Sequence, residues 1–326
     1  MTAVDLELSD VAAAAARLTP YIDPTPVLKS LWLSERTGAD VYLKCENLQR
    51  TGSFKVRGAL SKLLTLTEEE RQAGVITASA GNHGQGVAYG AHLLGLSALI
   101  VVPTGTPAIK LDGIRRYGAE LVLAGSGYDE AHREAVRLQR ESGRTYVHAY
   151  LDPAVIAGQG TVAWESMAGD RPWDLVVVPA GGGGLIAGIG TVTRALCPQA
   201  GVIGIQSEAS SPWVESFRTG RTVNVEESPT LAEGLAGGIE PENFALVRRV
   251  TDSMRTVREG DIADAMASLV REERLVVEGS GAVGVAALMS GVVTPAAGSR
   301  VLVILSGGNV DASTLAGVLT GESPGA

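Results

Sequence analysis

Short apolar runs recur along this chain. Most are followed by a turn cluster and then a longer segment with helical spacing. The opening stretch differs: Ser9 and Asp10 predict the cap of an alanine-rich helix that stops before Pro20. Asp23-Pro24-Thr25-Pro26 then predicts extended backbone, and Val41–Cys45 reads as a strand. Regular alternation begins at Val75. The strands Val75–Ser79, Ala98–Val102 and Leu121–Ala124 are each followed by a helix, over Asn82–Leu94, around Ala108–Tyr117 and over Asp129–Glu141. A second array holds a helix over Ile156–Met167, a strand Leu175–Val178, a helix Leu185–Leu196, a strand Val202–Gln206 and a helix Pro212–Arg218. Helices over Asp261–Glu272 and Val283–Met289 and a buried strand Val301–Leu305 complete it, and Gly321–Ala326 reads as a frayed tail. Alternation of this kind predicts an α/β fold with parallel pairing.

Composition narrows the picture. A chain of 326 residues exceeds one typical core, so one large or two medium domains are expected. Aromatics make up only 4%, which leaves Ala, Val, Leu and Gly to fill the interior. The 41 glycines gather in a few runs, as they would where backbone approaches a ligand closely. A net charge of −9 argues against a nucleic-acid partner. The N-terminus is acidic and lacks a secretory apolar core, and the apolar stretch Leu175–Gly190 is broken by consecutive glycines. Cys45 and Cys197 show neither metal spacing nor a disulfide framework. These features predict a cytoplasmic protein with no membrane partner.

Candidate chemistry concentrates in Glu46–Ala59, where Lys55 follows Thr51-Gly52-Ser53-Phe54 at the predicted opening of a helix. Thr51, Gly52 and Ser53 supply turn and N-cap chemistry. A surface lysine needs no such scaffold, whereas a lysine that condenses with an aldehyde must be fixed against one carbon. Three places repeat an apolar strand, a glycine turn and a helix: Ser79–Gly86, Pro179–Leu185 and Leu305–Asn309. In open parallel sheets such turns fall at the carboxyl edge, where amides at helix N-termini attract anions. Gly181-Gly182-Gly183-Gly184 suits a phosphate, because side chains would block its approach. Taken alone, this run also imitates a dinucleotide turn, with Gly188 and Glu208 in supporting positions.

Together and in this order, the segments resemble the pyridoxal-phosphate enzymes related to the tryptophan synthase β subunit, and within them the serine/threonine dehydratases (threonine deaminases). The resemblance covers about residues 20 to 315. It implies two open twisted-sheet α/β domains, the type II fold, with pyridoxal 5′-phosphate in the cleft between them. Residues 1–49 and 150–326 would form the large cofactor-binding domain and residues 50–149 a small mobile domain. It implies Lys55 as the catalytic residue, with Phe54, Lys55, Asn82, Gly181, Gly182, Gly183, Gly184, Leu185, Glu278 and Ser306 around the cofactor. Ser79, Ala80, Gly81, Asn82 and His83 would receive the substrate carboxylate. Related serine racemases carry a serine acid where this chain has Ala80, so elimination is expected over racemisation. Ser306 would face the pyridine nitrogen, and His83 would position and not catalyse.

The implied activity is elimination of water from L-threonine, and from L-serine, to give 2-oxobutanoate or pyruvate with ammonia. Alternatives are a dehydratase of hydroxyaspartate or phenylserine, a racemase or β-replacing enzyme of the same fold, a cofactor-binding protein without turnover, and a nicotinamide oxidoreductase. Some relatives bind a divalent or monovalent cation near Glu208, but the usual acidic partner falls at Val214 here, so no metal is assigned. A homo-oligomer, dimer or tetramer, is expected. The chain is too short for the regulatory domain of the large biosynthetic threonine dehydratases, so feedback by isoleucine is not expected.

Overall fold

The computed structural model describes residues 4–167 and 172–322. Its strands are β1 Val27–Lys29, β2 Asp40–Cys45, β3 Val75–Ala78, β4 Ala98–Val102, β5 Glu120–Leu123, β6 Thr145–Tyr146, β7 Leu175–Pro179, β8 Gly201–Ser207, β9 Ser253–Val257 and β10 Arg300–Leu305. Among the described residues they form two sheets, ordered β1-β2-β10-β7-β8-β9 and β5-β4-β3-β6. Only β1 runs antiparallel to its neighbour, β2; the other pairs are parallel. The expected two-sheet α/β architecture is therefore present.

The larger sheet buries both faces. Leu302 and Ile304 of β10 join one core with Val176, Val178 and Val202, while Val301, Val303 and Leu305 join the opposite core with Val177 and Ile205. That period of two, on strands that read as unbroken apolar runs, is the mark of a sheet covered on both sides. Each such side chain contributes on the order of 1.5–3 kcal/mol by leaving water. In the smaller sheet, Val75, Ile100 and Val102 pack with Val87, Ala88 and Ala91 of the helix Asn82–Leu94. Ile76 and Val101 pack on the other face with Ala131 and Ala135 of the helix Tyr128–Ser142.

The helix Lys55–Leu63 lies where the two halves meet. Its Ala59 and Leu63 pack with the small-sheet core, beside Val155 of the helix Pro153–Met167. Small residues bring those two helices together: a Cβ on Gly158 would stand 2.5 Å from the Arg57 carbonyl oxygen. A buried ionic network fastens the same junction. Arg57 is fully buried and donates to Glu46 through Nε (2.7 Å) and Nη2 (2.9 Å), to Glu165 through Nη1 (2.5 Å), and to the Thr161 hydroxyl (3.1 Å). Buried Lys44 donates to Glu165 (2.5 Å) and to the Thr25 carbonyl (2.9 Å).

Several expectations shift. The first helix, Leu8–Leu18, starts one residue before Ser9 with Glu7 as its cap residue, and the Asp10 carboxylate accepts from the Glu7 amide (2.9 Å). Ser53 does not cap the lysine helix. Phe54 occupies that position without a side-chain bond, and Ser53 is buried in a bridge to Gly307. The helix expected over Asp261–Glu272 runs over Glu259–Ser268 and loosens into a π turn, Leu269–Glu273. The tail expectation falls partly on residues 323–326, outside the described residues. No helix among the described residues is long and apolar enough to cross a membrane.

Candidate active site

The carboxyl ends of both sheets face one cleft of about 1650 Å³. Phe54, Lys55, Ser79, Ala80, Gly81, Asn82, His83, Gly181, Gly182, Gly183, Gly184, Leu185, Glu278 and Ser306 all line it. The residues expected around the cofactor and the substrate carboxylate thus line one cleft, although they span residues 54 to 306; Ser53, Gly188 and Glu208 are not among its lining.

The chain ahead of Lys55 is held by the turn after β10. The Phe54 amide donates to the Ser306 carbonyl (3.1 Å), and the Gly308 amide donates to the Gly52 carbonyl (2.8 Å). Gly52 has φ +72°, and a Cβ there would lie 2.4 Å from the Asn309 side-chain oxygen. Lys55 opens its helix, and among the described residues its Nζ hydrogen-bonds only the Ala149 carbonyl, at a long 3.4 Å. The Phe54 ring centroid lies 5.2 Å from that nitrogen. Burial pushes the Lys55 amine down to about 8, with the Glu278 charge opposing. A minor fraction, about a tenth at pH 7, is therefore neutral.

Asn82 opens the helix Asn82–Leu94 and is clamped from two sides. Its Nδ2 donates to Glu278 Oε1 (2.8 Å), and its Oδ1 accepts from Asn309 Nδ2 (2.7 Å), which also donates to the Thr51 carbonyl (2.8 Å). One Asn82 amide hydrogen remains for a ligand. Burial pushes the Glu278 carboxyl up to about 7, against the Asn82 hydrogen bond and the charge of Lys110. His83 is buried with Nε2 2.9 Å from the Val147 carbonyl; burial, then the charge of Lys55, pushes it down to about 3. It is a neutral strut that donates through Nε2. Ser306 is buried and its hydroxyl donates to the Ser280 carbonyl at 3.4 Å.

The turn Gly181–Gly184 admits no side chains. A Cβ on Gly182 would sit 2.4 Å from the Tyr150 ring, and one on Gly184 3.0 Å from Tyr150 Cα. Gly183 has φ +91°, which L side chains rarely adopt. The helix Gly184–Leu196 begins here, so its first amides have no acceptor within the helix. An amine of lowered pKa, a bare glycine turn, free first-turn amides and a buried hydroxyl together fit pyridoxal 5′-phosphate, which needs one imine-forming amine and one anion seat.

Sequence reading missed Asn309, Tyr150, Ala149 and the Arg57 network. Of these, Asn309 stands in a turn already singled out, and Glu46 and Arg57 stand in the segment Glu46–Ala59. Glu208 is exposed, and among the described residues no group of three or more His, Cys, Asp or Glu is placed to hold a metal ion.

The raised Glu278 carboxyl has a measurable consequence. The native state binds its proton more tightly than the unfolded chain, so this group's stabilisation is complete below about pH 4.5 and is lost as pH rises through about 7. In cofactor-free protein, the Tm of the wild type relative to Glu278→Gln should fall across that window. A pH-independent difference would show that the carboxyl is not held protonated.

Comparisons with known proteins agree with this geometry. Residues 18–307 match the family model described as pyridoxal-phosphate dependent enzyme. The chain is 43% identical over 311 residues to an L-threonine ammonia-lyase of Thermotoga maritima, covering 95% of this chain and 77% of that protein. It is 40% identical over 324 residues to a catabolic L-threonine dehydratase of Staphylococcus aureus, covering 98% and 93%. Among solved structures, maize serine racemase superposes with a TM-score of 0.92 at 31% identity, covering 98% of each chain. The processed threonine deaminase isoform 2 of Solanum lycopersicum gives 0.89 at 33% identity, covering 99% and 92%. The chain belongs to the family of pyridoxal-phosphate dependent enzymes.

Proposed function

We propose that this protein is an ammonia-lyase that converts L-threonine to 2-oxobutanoate and ammonia, and L-serine to pyruvate and ammonia. The observation that carries the reading is a lysine amine of lowered pKa on the floor of a cleft that also holds two glycine-rich helix starts. Phe54, Lys55, Asn82, Gly181–Leu185, Glu278 and Ser306 would hold pyridoxal 5′-phosphate. When bound, the cofactor supplies an electron sink for charge developing at the substrate α-carbon.

The residues then divide the work. Lys55, free and neutral, takes the α-proton at Nζ. Ser79 to His83 receive the substrate carboxylate at the start of the helix Asn82–Leu94, where amides lack helical acceptors. His83 fixes this turn against Val147. Ala80 offers no proton to the opposite face of the α-carbon, so racemisation has no second acid there. The β-hydroxyl departs with a proton, and the released enamine takes up water to give the 2-oxo acid and ammonia.

Purified protein incubated with L-threonine should yield 2-oxobutanoate and ammonia in equal amounts, and with L-serine should yield pyruvate without D-serine. Hydroxyaspartate and phenylserine belong in the same panel, and clear preference for either would move the substrate assignment. A visible chromophore that no amino acid alters, with no 2-oxo acid formed, would overturn the reading in favour of a cofactor carrier.

We also infer that residues 50–149 move as a small domain against 1–49 and 150–326. An ion pair across the cleft mouth, Lys110 to Glu233 at 2.9 Å, supports a closing contact of that kind. Assembly into a dimer or tetramer is supported by apolar side chains left in water, Leu31 (68% exposed) and Leu48 (54%). Work in the cytoplasm is supported by two buried cysteines, both unbridged.

A further inference from the structure

We propose that Trp213 and Asn243 are positioning residues that aim the Gly181–Gly184 turn at the phosphate of the cofactor. The inference rests on the reading of that turn as the phosphate seat.

The Gly181 carbonyl accepts from Trp213 Nε1 (2.5 Å), and the Gly182 carbonyl accepts from Asn243 Nδ2 (3.1 Å). Across a trans peptide the carbonyl of one residue and the N–H of the next point in opposite directions. Pinning these two carbonyls therefore points the amides of Gly182 and Gly183 away from Trp213 and Asn243. The four glycines line the cleft, whereas neither Trp213 nor Asn243 does. The side chains thus grip the turn from behind, and the amides are turned toward the ligand side. A flexible glycine run is disordered by default, and an anion seat works only if its donors are oriented beforehand.

The grip is itself held. Trp213 and Asn243 are fully buried. The Gln206 side-chain oxygen accepts from the Trp213 backbone amide (2.9 Å), fixing the start of the helix Pro212–Thr219. The Trp213 ring stacks on Phe244 (6.1 Å between centroids) and meets Phe217 edge-on (6.3 Å). The chain has three phenylalanines, and two of them are placed behind this turn. A Cβ on Gly183 would come within 2.6 Å of Trp213 and 2.7 Å of Asn243, so backing and turn fit without a gap.

The test uses cofactor-free protein titrated with pyridoxal 5′-phosphate and, separately, with pyridoxal, which has the aldehyde but no phosphate. Binding is read from visible absorbance, without turnover. Wild type should bind the phosphorylated form much more tightly, and inorganic phosphate should compete. Trp213→Phe keeps an aromatic ring, though a smaller one, and removes the donor; Asn243→Ala removes the second donor. Each should weaken pyridoxal 5′-phosphate by about fivefold or more while leaving pyridoxal within about twofold, the size expected for one lost hydrogen bond felt through the seat. If one variant does not fold, judged by circular dichroism, the other decides. Equal weakening of both ligands, or no change in their ratio, would overturn the inference and leave a purely structural role. Failure of the wild type to prefer the phosphorylated form would instead remove the phosphate seat itself.

Discussion

Replacing Lys55 by alanine should abolish the visible absorbance that the resting enzyme owes to its cofactor and lower turnover of L-threonine by at least about a thousandfold. The residue serves twice, as the covalent anchor of the cofactor and as the base at the α-carbon, so both functions fail together. Lys55→Arg should fail as well: a guanidinium stays protonated and cannot take the proton. The fold should survive. Among the described residues Lys55 Nζ makes one long hydrogen bond and no ion pair within hydrogen-bonding distance, and removing an amine whose burial is already unfavourable costs little. Circular dichroism and Tm of the cofactor-free variants should therefore match wild type. Absorbance and turnover retained at wild-type level in Lys55→Ala would end the assignment.

Arg57→Met should produce the largest loss of stability, about 3–5 kcal/mol, and lower the apparent Tm by about 10 °C. Arg57 binds two carboxylates at once and, with Lys44, balances their two charges. Without it, Glu46 and Glu165 share the single charge of Lys44, which lies 4.0 Å from Glu46 and 2.5 Å from Glu165. Glu46 is wholly buried, so water cannot replace the lost partner. Arg57→Lys should recover little, because one ammonium cannot span both carboxylates as the guanidinium fork does. A combined Arg57→Met, Glu46→Gln variant should be more stable than Arg57→Met alone, since the charge left without a partner is then gone. Thermal and urea denaturation of the set would check this. An Arg57→Met protein within about 2 °C of wild type would show that the network contributes little.

Much of the site was legible because its parts are local. A strand, a glycine turn and a helix form one continuous signal, and the helix Asn82–Leu94 and strand Ala98–Val102 fall where the apolar spacing put them. Weak or short elements escaped: β6 has two residues, and β9, Ser-Met-Arg-Thr-Val, carries no apolar run. The helices Leu31–Thr37, Glu68–Ala73, Pro241–Val250 and Ala312–Thr320 were also passed over, two of them short and one almost wholly polar. The reading of Ser53 as a cap failed for a different reason. Local propensity favours that role, but pairing with Gly307, distant in sequence, took the residue for a bridge. The same limit hid the partners of Arg57 and of the Gly181–Gly184 turn. Nothing in one chain says that residue 57 will meet residue 165, or residue 181 residue 213.

The position of β10 sets an order of events during synthesis. This strand lies between β2 and β7, with Asp40 opposite Arg300, so the middle of the larger sheet stays open until residues 300–305 have left the ribosome. The smaller sheet closes from contacts within residues 75–146 and has no such wait. Early-folding units on a growing chain are those with short loops to close. A nascent chain stalled before residue 300 would thus carry a finished small sheet, a gap flanked by bare apolar strands, and a lysine without the partner turn that holds its segment. Such a species offers exposed strand edges to chaperones and to aggregation alike.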